Sequence, residues 1–322
     1  MVELQQHIDI KELSNFKTPA RAKNYFEVCS EEQLEELKKV FQYIQKQQLK
    51  HLVIWWGTNL FFAFDEFEGV VIKNSLKGWS YDTKTMILEA FASESIRQIA
   101  SSLENDFHQP LWHRFIWLPG SVWGAVFGNA GCFGLETESN FLDATLLNKE
   151  TGELEILSKE QMLFSYRSSI LKQTEKYFLI KARFDLSKKI EKYHSDVDNI
   201  DFRENKQPKG NSCGSFFKNP EGAVMKSNSG IEIIQDPQEI ESLKQEGMTL
   251  MKLSAGYLIE QVWLKGFSHW WAKWSEKHAN FLLSDGETCT WQDLLYLIQE
   301  AQKRVREEFE LELENEVRII TN

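Results

Sequence analysis

The sequence predicts an α+β protein of more than one domain. Three observations carry this. The chain has 322 residues, and a domain usually takes roughly 100–200. Amphipathic helical stretches alternate with short β-branched runs near the start, and the middle third strings strands together without a helix between each pair.

Ser30 with Gln33 forms a capping-box pattern, and Leu34, Leu37, Phe41 and Ile44 follow at helical spacing, so the spacing predicts a helix over 31–47. His51 to Ile54 is a short β-branched run, and Leu60 to Phe64 and Val70 to Lys73 read as further strands, which makes a small βαβ-like unit of the first 75 residues. Thr85 to Phe91 reads as a strand and Glu94 to Leu103 as a helix capped by Ser93. Asp143 to Asn148, the turn Lys149-Glu150-Thr151-Gly152 and Glu153 to Leu157 predict a hairpin, with another strand over Tyr177 to Phe184. The polar run Ser187 to Asn211 suits a helix and a crossover. Residues 221–253 suit an inserted strand and helix, punctuated by Asn228-Ser229-Gly230 and Asp236-Pro237. Asn280 to Leu283 is a strand, Ser284-Asp285-Gly286 a turn, Thr290 the cap of a helix over 291–308, and about Leu311 to Ile320 a final strand.

Composition excludes several function classes. Net charge is −11, from 37 Lys+Arg against 48 Asp+Glu, so no global positive field draws nucleic acid or an anionic membrane surface. The longest apolar stretch, Ile116 to Gly128, is broken by Pro119 and Gly120 and is shorter than the roughly 20 residues of a spanning helix. The start carries no charged-then-apolar signal pattern, and Cys29, Cys132, Cys213 and Cys289 are far apart with no CxxC. A soluble cytoplasmic protein without structural zinc is the expectation. A monomer is the working expectation, and the sequence leaves the oligomeric state open.

Several segments could carry chemistry. Leu118 to Gly131 is dense in small residues, which lets backbone N–H groups approach a diphosphate, although a structural turn reads equally well. Ile54-Trp55-Trp56-Gly57-Thr58-Asn59 follows a strand and could form a second cradle, were it not for the two indoles. Ser215, beside Gly214 and followed by Lys218 and Asn219, reads alone as a turn residue more readily than as a catalyst. Arg167, in Tyr166-Arg167-Ser168, offers a guanidinium on a short loop. Glu314 and Glu316 alternate with Leu313 and Val317, so both carboxylates share one face of the last strand. His278 is by default a loop histidine; His108 and His113 lack ligand spacing, which gives no metal site.

Taken in order, LPGSVWGAVFGNAG (118–131), YRSS (166–169), GSFFKNP (214–220), SEKHANF (275–281) and LENEV (313–317) resemble one family: the UDP-N-acetylenolpyruvoylglucosamine reductases, the MurB flavoenzymes. The resemblance runs from about Asn15 to Ile320. It implies an FAD-binding α+β fold of the vanillyl-alcohol-oxidase type with a C-terminal substrate-binding domain. FAD subdomains would span 1–75 (with the last strand, 317–322) and 76–205, and the substrate domain 206–316. It further implies reduction of UDP-N-acetylglucosamine enolpyruvate to UDP-N-acetylmuramate with NADPH, in peptidoglycan precursor synthesis. The family's proton donor falls on Ser215, its catalytic arginine on Arg167 and its catalytic glutamate on Glu316. Flavin contacts fall on Trp55, Trp56, Gly57, Thr58 and Asn59, on Pro119, Gly120, Ser121, Val122 and Gly124, and on Asn129, Ala130 and Gly131; substrate contacts fall on Tyr166, Lys218, Asn219 and His278. The short interval from Arg167 to Ser215 resembles the subgroup without an extra substrate-clamping loop. The chain departs from the pattern in the length of 221–253, in Thr321 for a terminal Gly, and in Cys213 for a frequent Ala. Two other readings stay open: another flavin oxidoreductase on the same fold, and a flavin-free UDP-sugar-binding protein.

The tryptophans are the main departure. There are 11 Trp beside only 17 Gly, and most of them stand where this family has, or accepts, glycine. Exchanging them restores GGGTN at 55–59, GSVGGAV at 120–126 and GGAKGSEKHANF at 270–281. The expectation is a gene in which UGA encodes glycine, written out here as tryptophan. A chain that truly carries the indoles is expected to have Trp56 and Trp123 in pyrophosphate space, and strain of roughly 1–3 kcal/mol at each turn that needs φ > 0.

Overall fold

Leu34, Leu37, Val40, Phe41 and Ile44 are the buried residues of the helix Leu34–Gln47, the stripe that 3.6-residue periodicity dictates. The computed structural model describes residues 2–132, 134–188, 208–220, 224–226, 233–248 and 250–322. Most of the helix and crossover read over 187–211, and the turn at 228–230, lie outside the described residues.

The chain divides into two compact units: Met1–Ile8, Arg21–Thr58 and Glu66–Asn199 form the first, and Asp9–Ala20, Asn59–Asp65 and Ile200–Asn322 the second. The first unit holds a four-stranded sheet in the order Gln5–Asp9, Arg21–Val28, Glu66–Asn74, His51–Ile54. Glu66–Asn74 runs parallel to both Arg21–Val28 and His51–Ile54. The βαβ-like unit is therefore present, with Arg21–Val28 as an arm that the sequence reading lacked. At the start of its helix the expected capping box is incomplete. Ser30 makes no side-chain cap bond, a 3-10 turn Glu31–Gln33 intervenes, and Gln33 Oε1 accepts from the Cys29 N–H at 2.8 Å.

Five antiparallel strands make the second sheet of this unit, ordered Leu154–Ser158, Phe141–Asn148, Tyr177–Asp185, Ile87–Phe91, Trp79–Asp82. The predicted hairpin is its first pair. The helix expected at 94–103 is Ile96–Phe107, and its cap is Ser95, whose side chain accepts from Gln98 N–H. Ser93 instead turns its hydroxyl onto the carbonyl of Asn74, which anchors the loop to the neighbouring strand.

In the second unit, Thr290 and Asp293 form a reciprocal capping box for the helix Trp291–Phe309, whose Leu294, Leu297, Ile298, Ala301 and Val305 are buried. The helix Ala255–Gln261, which sequence reading missed, and a three-stranded sheet of Ser268–His269, Ala272–Trp274 and Leu282–Ser284 share its core. The inserted segment forms a sheet of Ile233–Ile234, Val224–Lys226 and Leu250–Lys252, and Ile234 packs with Ile240 and Leu243 of the helix Pro237–Gln245. The final strand is shorter than expected: Arg318–Ile320 runs parallel to Leu60–Phe62, while the residues before it make an isolated antiparallel bridge, Asn315 to Phe217. No helix among the described residues is long and apolar enough to cross a membrane.

Candidate active site

The expected residues fall into two clusters, one on each unit. On the first unit the strand His51–Ile54 ends at Trp55, and the loop 118–121 leads into the short helix Val122–Phe127. The loops need glycine: Gly57 and Gly120 have φ of 66° and 130°. They also touch, since a Cβ on Gly120 would stand 3.5 Å from Thr58 Oγ1. Among the described residues the amides of Gly57 and Thr58 donate to no main-chain carbonyl, as an anion-binding turn requires.

The helix start is already satisfied. Val122 N–H donates to Glu94 O at 2.9 Å, Trp123 N–H to Ala92 O at 2.8 Å, and Gly124 N–H to Ser121 Oγ at 3.3 Å. Ser121 and Val122 are buried and Pro119 is exposed. The indoles of Trp55 and Trp123 stack with centroids 4.9 Å apart and planes 12° apart. Trp55 Nε1 lies 3.0 Å from where a Cβ on Gly124 would stand, so the bare backbone face that a diphosphate needs is covered by an indole. FAD does not fit these loops as they stand. The residue that closes them with Trp123 is Trp55. Trp56, expected in that place, is half-exposed and donates its indole N–H to Ser93 O at 3.0 Å.

Asn129 ties this segment to Arg167. It is buried, with φ 42°; its amide donates to Glu138 Oε1 at 3.1 Å and to Ser165 O at 3.2 Å, and its Oδ1 accepts from Glu138 N–H at 3.1 Å. Ser165 and Ser168 exchange both main-chain bonds at 3.1 Å, which leaves Tyr166-Arg167 as the tip of a tight turn with Arg167 at φ 55°. The Arg167 guanidinium lies 5.3 Å from the Tyr166 ring centroid, and its Nη1 is 3.7 Å from the position of a Cβ on Gly131. Ala130 accepts from Thr137 Oγ1 at 2.9 Å. Sequence reasoning missed Glu136 here. Burial, then the Glu138 carboxylate, raise its pKa, and Arg167 opposes them.

On the second unit Ser215 and Glu316, a hundred residues apart in the chain, are brought together by the main chain. Gly214 takes φ 87°, and Ser215 pairs with Phe281. Phe216 O then accepts from Glu316 N–H at 2.8 Å and from Val317 N–H at 3.2 Å. Asn59, expected in the flavin loop, belongs here: its side-chain amide donates to Glu316 O at 2.9 Å, and its carbonyl accepts from Arg318 N–H at 3.1 Å. Lys218 pairs with Glu314 at 2.9 Å, and Asn219 Oδ1 accepts from Ala255 N–H at 3.1 Å, at the start of a helix. Sequence reasoning also missed Asn280. It is 2% exposed, its Oδ1 accepts from Phe217 N–H at 2.9 Å, and its Nδ2 donates to Phe217 O at 2.8 Å, so one side chain holds the segment that carries Ser215. Beside it His278 Nδ1 accepts from Asn280 N–H at 3.3 Å, and burial pushes the imidazole pKa below its ordinary value.

Over its whole length the chain shares a fold with the solved UDP-N-acetylenolpyruvylglucosamine reductase (MurB) of Thermus caldophilus, at TM-score 0.66 and 21% identity, covering 100% of both chains. The family model of the UDP-N-acetylenolpyruvoylglucosamine reductase C-terminal domain matches residues 206–320. A curated relative of that name from Chlamydia trachomatis serovar L2 is 30% identical over 318 residues, 98% of this chain and 96% of the relative. One from Bacillus subtilis is 30% identical over 290 residues, 89% of this chain and 85% of the relative. The chain is an α+β enzyme of the reductase class. It belongs to the UDP-N-acetylenolpyruvoylglucosamine reductase family.

Proposed function

We propose that this protein reduces the enolpyruvyl ether of UDP-N-acetylglucosamine to the lactyl ether of UDP-N-acetylmuramate, in peptidoglycan precursor synthesis, with FAD as redox group and NADPH as electron source. The likeness to the Chlamydia reductase over 98% of the chain carries this reading. We further propose domain roles, with 1–75 (together with 317–322) and 76–205 for flavin and 206–316 for substrate, in a cytoplasmic monomer.

The residue types suit the chemistry. Hydride added to the terminal vinyl carbon leaves negative charge delocalised into the adjacent carboxylate as an enolate, which calls for positive charge and hydrogen-bond donors. Arg167 is assigned the charge. Ser215 is assigned delivery of the proton to the carbon next to the carboxylate, and Glu316, held beside it through Phe216, orients or shares that proton. Tyr166, Lys218, Asn219 and His278 are assigned to the nucleotide sugar. Burial favours the neutral form of His278, and with Nδ1 accepting from Asn280 N–H the proton sits on Nε2, which can donate to the nucleotide sugar.

The test uses the protein expressed in its natural host. NADPH should be consumed only when the enolpyruvyl nucleotide sugar is present, with UDP-N-acetylmuramate as product. Ser215→Ala should lower kcat by about 10²–10⁴-fold with nucleotide-sugar affinity kept. Full turnover in that variant would refute the proton-donor assignment, and no turnover in the parent would refute the reading. The closed loops at Trp55 and Trp123 favour a second reading for a chain that truly carries the indoles: a flavin-free binder of the UDP sugar, colourless when purified.

A further inference from the structure

We infer that the polypeptide working in its host carries glycine where the written sequence has tryptophan, and that a UGA codon read as glycine is the single cause. Only the flavin part of the inference rests on the function proposed above.

The backbone supplies the first argument. At the end of the helix Ala255–Gln261, Trp263 N–H donates to Glu260 O at 3.1 Å and Leu264 N–H to Ile259 O at 3.1 Å. With Val262 as C-cap these are the two bonds of a Schellman motif, and the residue at its left-handed position is the one that glycine ordinarily occupies. Here it is Trp263, at φ 61° and 86% exposed, so no packing offsets the conformation. Trp270 and Trp271 are the whole loop of the two-residue hairpin joining Ser268–His269 to Ala272–Trp274. Such loops require φ > 0 at the first central position, hence glycine or asparagine. Trp270 stands there at φ 49°, and both indoles are exposed.

Buried positions supply the second argument. A buried indole N–H ordinarily finds an acceptor. Those of Trp112, Trp123 and Trp274 have none among the described residues. These side chains fill space without the one polar contact that would mark a site shaped for tryptophan.

The third argument is the stacked pair Trp55 and Trp123, which covers the backbone of Gly124 in loops otherwise built for close approach, with Gly57 and Gly120 at positive φ. The left-handed conformation alone does not single out tryptophan, since Gln48, His108 and Glu310 take it at other helix ends. Two exposed turns, three buried indoles without acceptors among the described residues, and the anion loop have no shared physical cause for holding the same residue. A codon supplies one: each tryptophan written from UGA is replaced at once when UGA is read as glycine. The 17 glycines against 11 tryptophans of the written chain agree with it.

Mass spectrometry of the protein from its natural host decides the matter without any assay of activity. The tryptic peptide 253–265 should be lighter than written by one indolylmethylene group, and the peptide 266–273 by two. The written masses, or UGG codons at 263, 270 and 271, would overturn the inference. The second arm compares the written chain with one carrying all eleven Trp→Gly changes, both made in a standard host. The glycine chain should bind FAD, with its visible band, while the written chain binds none. Trp263→Gly alone should raise Tm, the reverse of what loss of a native tryptophan does. FAD bound equally by both chains, or a lower Tm for Trp263→Gly, would count against it. Glycine masses together with a colourless protein would support the inference and overturn the flavin reading.

Discussion

Asn280 is the side chain whose removal should reach furthest. It holds both main-chain groups of Phe217, donating to the carbonyl at 2.8 Å and accepting from the N–H at 2.9 Å. Phe217 is 1% exposed, so water does not take over either bond. Asn280→Ala leaves a donor and an acceptor buried, at about 1–3 kcal/mol each, so the loss should be about 2–6 kcal/mol. With a urea slope of about 3 kcal/mol/M, a loss of about 3 kcal/mol moves the midpoint down by about 1 M. The measurement is urea unfolding of the full chain by circular dichroism, with kcat alongside. The segment released is the one that carries Ser215, so kcat should fall even where the protein remains folded. Asn280→Asp adds a check with a sign. The ionised side chain sets an oxygen against the Phe217 carbonyl, and protonation restores a donor, so this variant should recover stability relative to the parent as pH falls through the carboxylate range. A midpoint for Asn280→Ala within about 0.2 M of the parent would refute the clamp.

Three further outcomes follow from particular sites. Gly69→Ala puts a Cβ 2.2 Å from the Lys50 carbonyl oxygen, a backbone atom that cannot swing away, and should cost at least about 2 kcal/mol in thermal unfolding. His278 has its pKa lowered in the fold, chiefly by burial, so its contribution is fully present above the unfolded value of about 6.5 and is lost as pH falls below it; His278→Gln should flatten that part of the Tm-against-pH curve. Burial pushes the Cys213 thiol up to about 12 and Cys289 up to about 11, while Cys29 is exposed, so iodoacetamide at neutral pH should label Cys29 first, as peptide mapping will show.

What the sequence made legible was local. The helices at 34–47 and 291–309 and the hairpin around Gly152 rest on periodicity, a cap and a turn, each contained in a short window. Arg21–Val28 escaped because its partner, Glu66–Asn74, lies more than a helix away, and without that pairing its polar residues give no strand signal. The same physics shortened the last strand, where alternation allowed ten residues but three pair with Leu60–Phe62 and Asn315 bridges to Phe217 instead. At the site, motifs named Ser215 and Glu316, but their adjacency through Phe216 and the hold of Asn280 on Phe217 depend on folding. The excess of tryptophan was visible from the start. Its meaning at 263 and 270 needed φ angles and the bonds around them.

The pairing of Leu60–Phe62 with Arg318–Ile320 also sets a timetable for synthesis. All three residues of the earlier strand are buried, yet their partner leaves the ribosome some 250 residues later. Until then a fully apolar edge waits without its mate, open to pairing with other nascent chains. The second unit, assembled from 9–20, 59–65 and 200–322, cannot close by completing any one stretch of chain. Premature termination shortly before Arg318 should therefore yield aggregates rather than a slightly shortened enzyme.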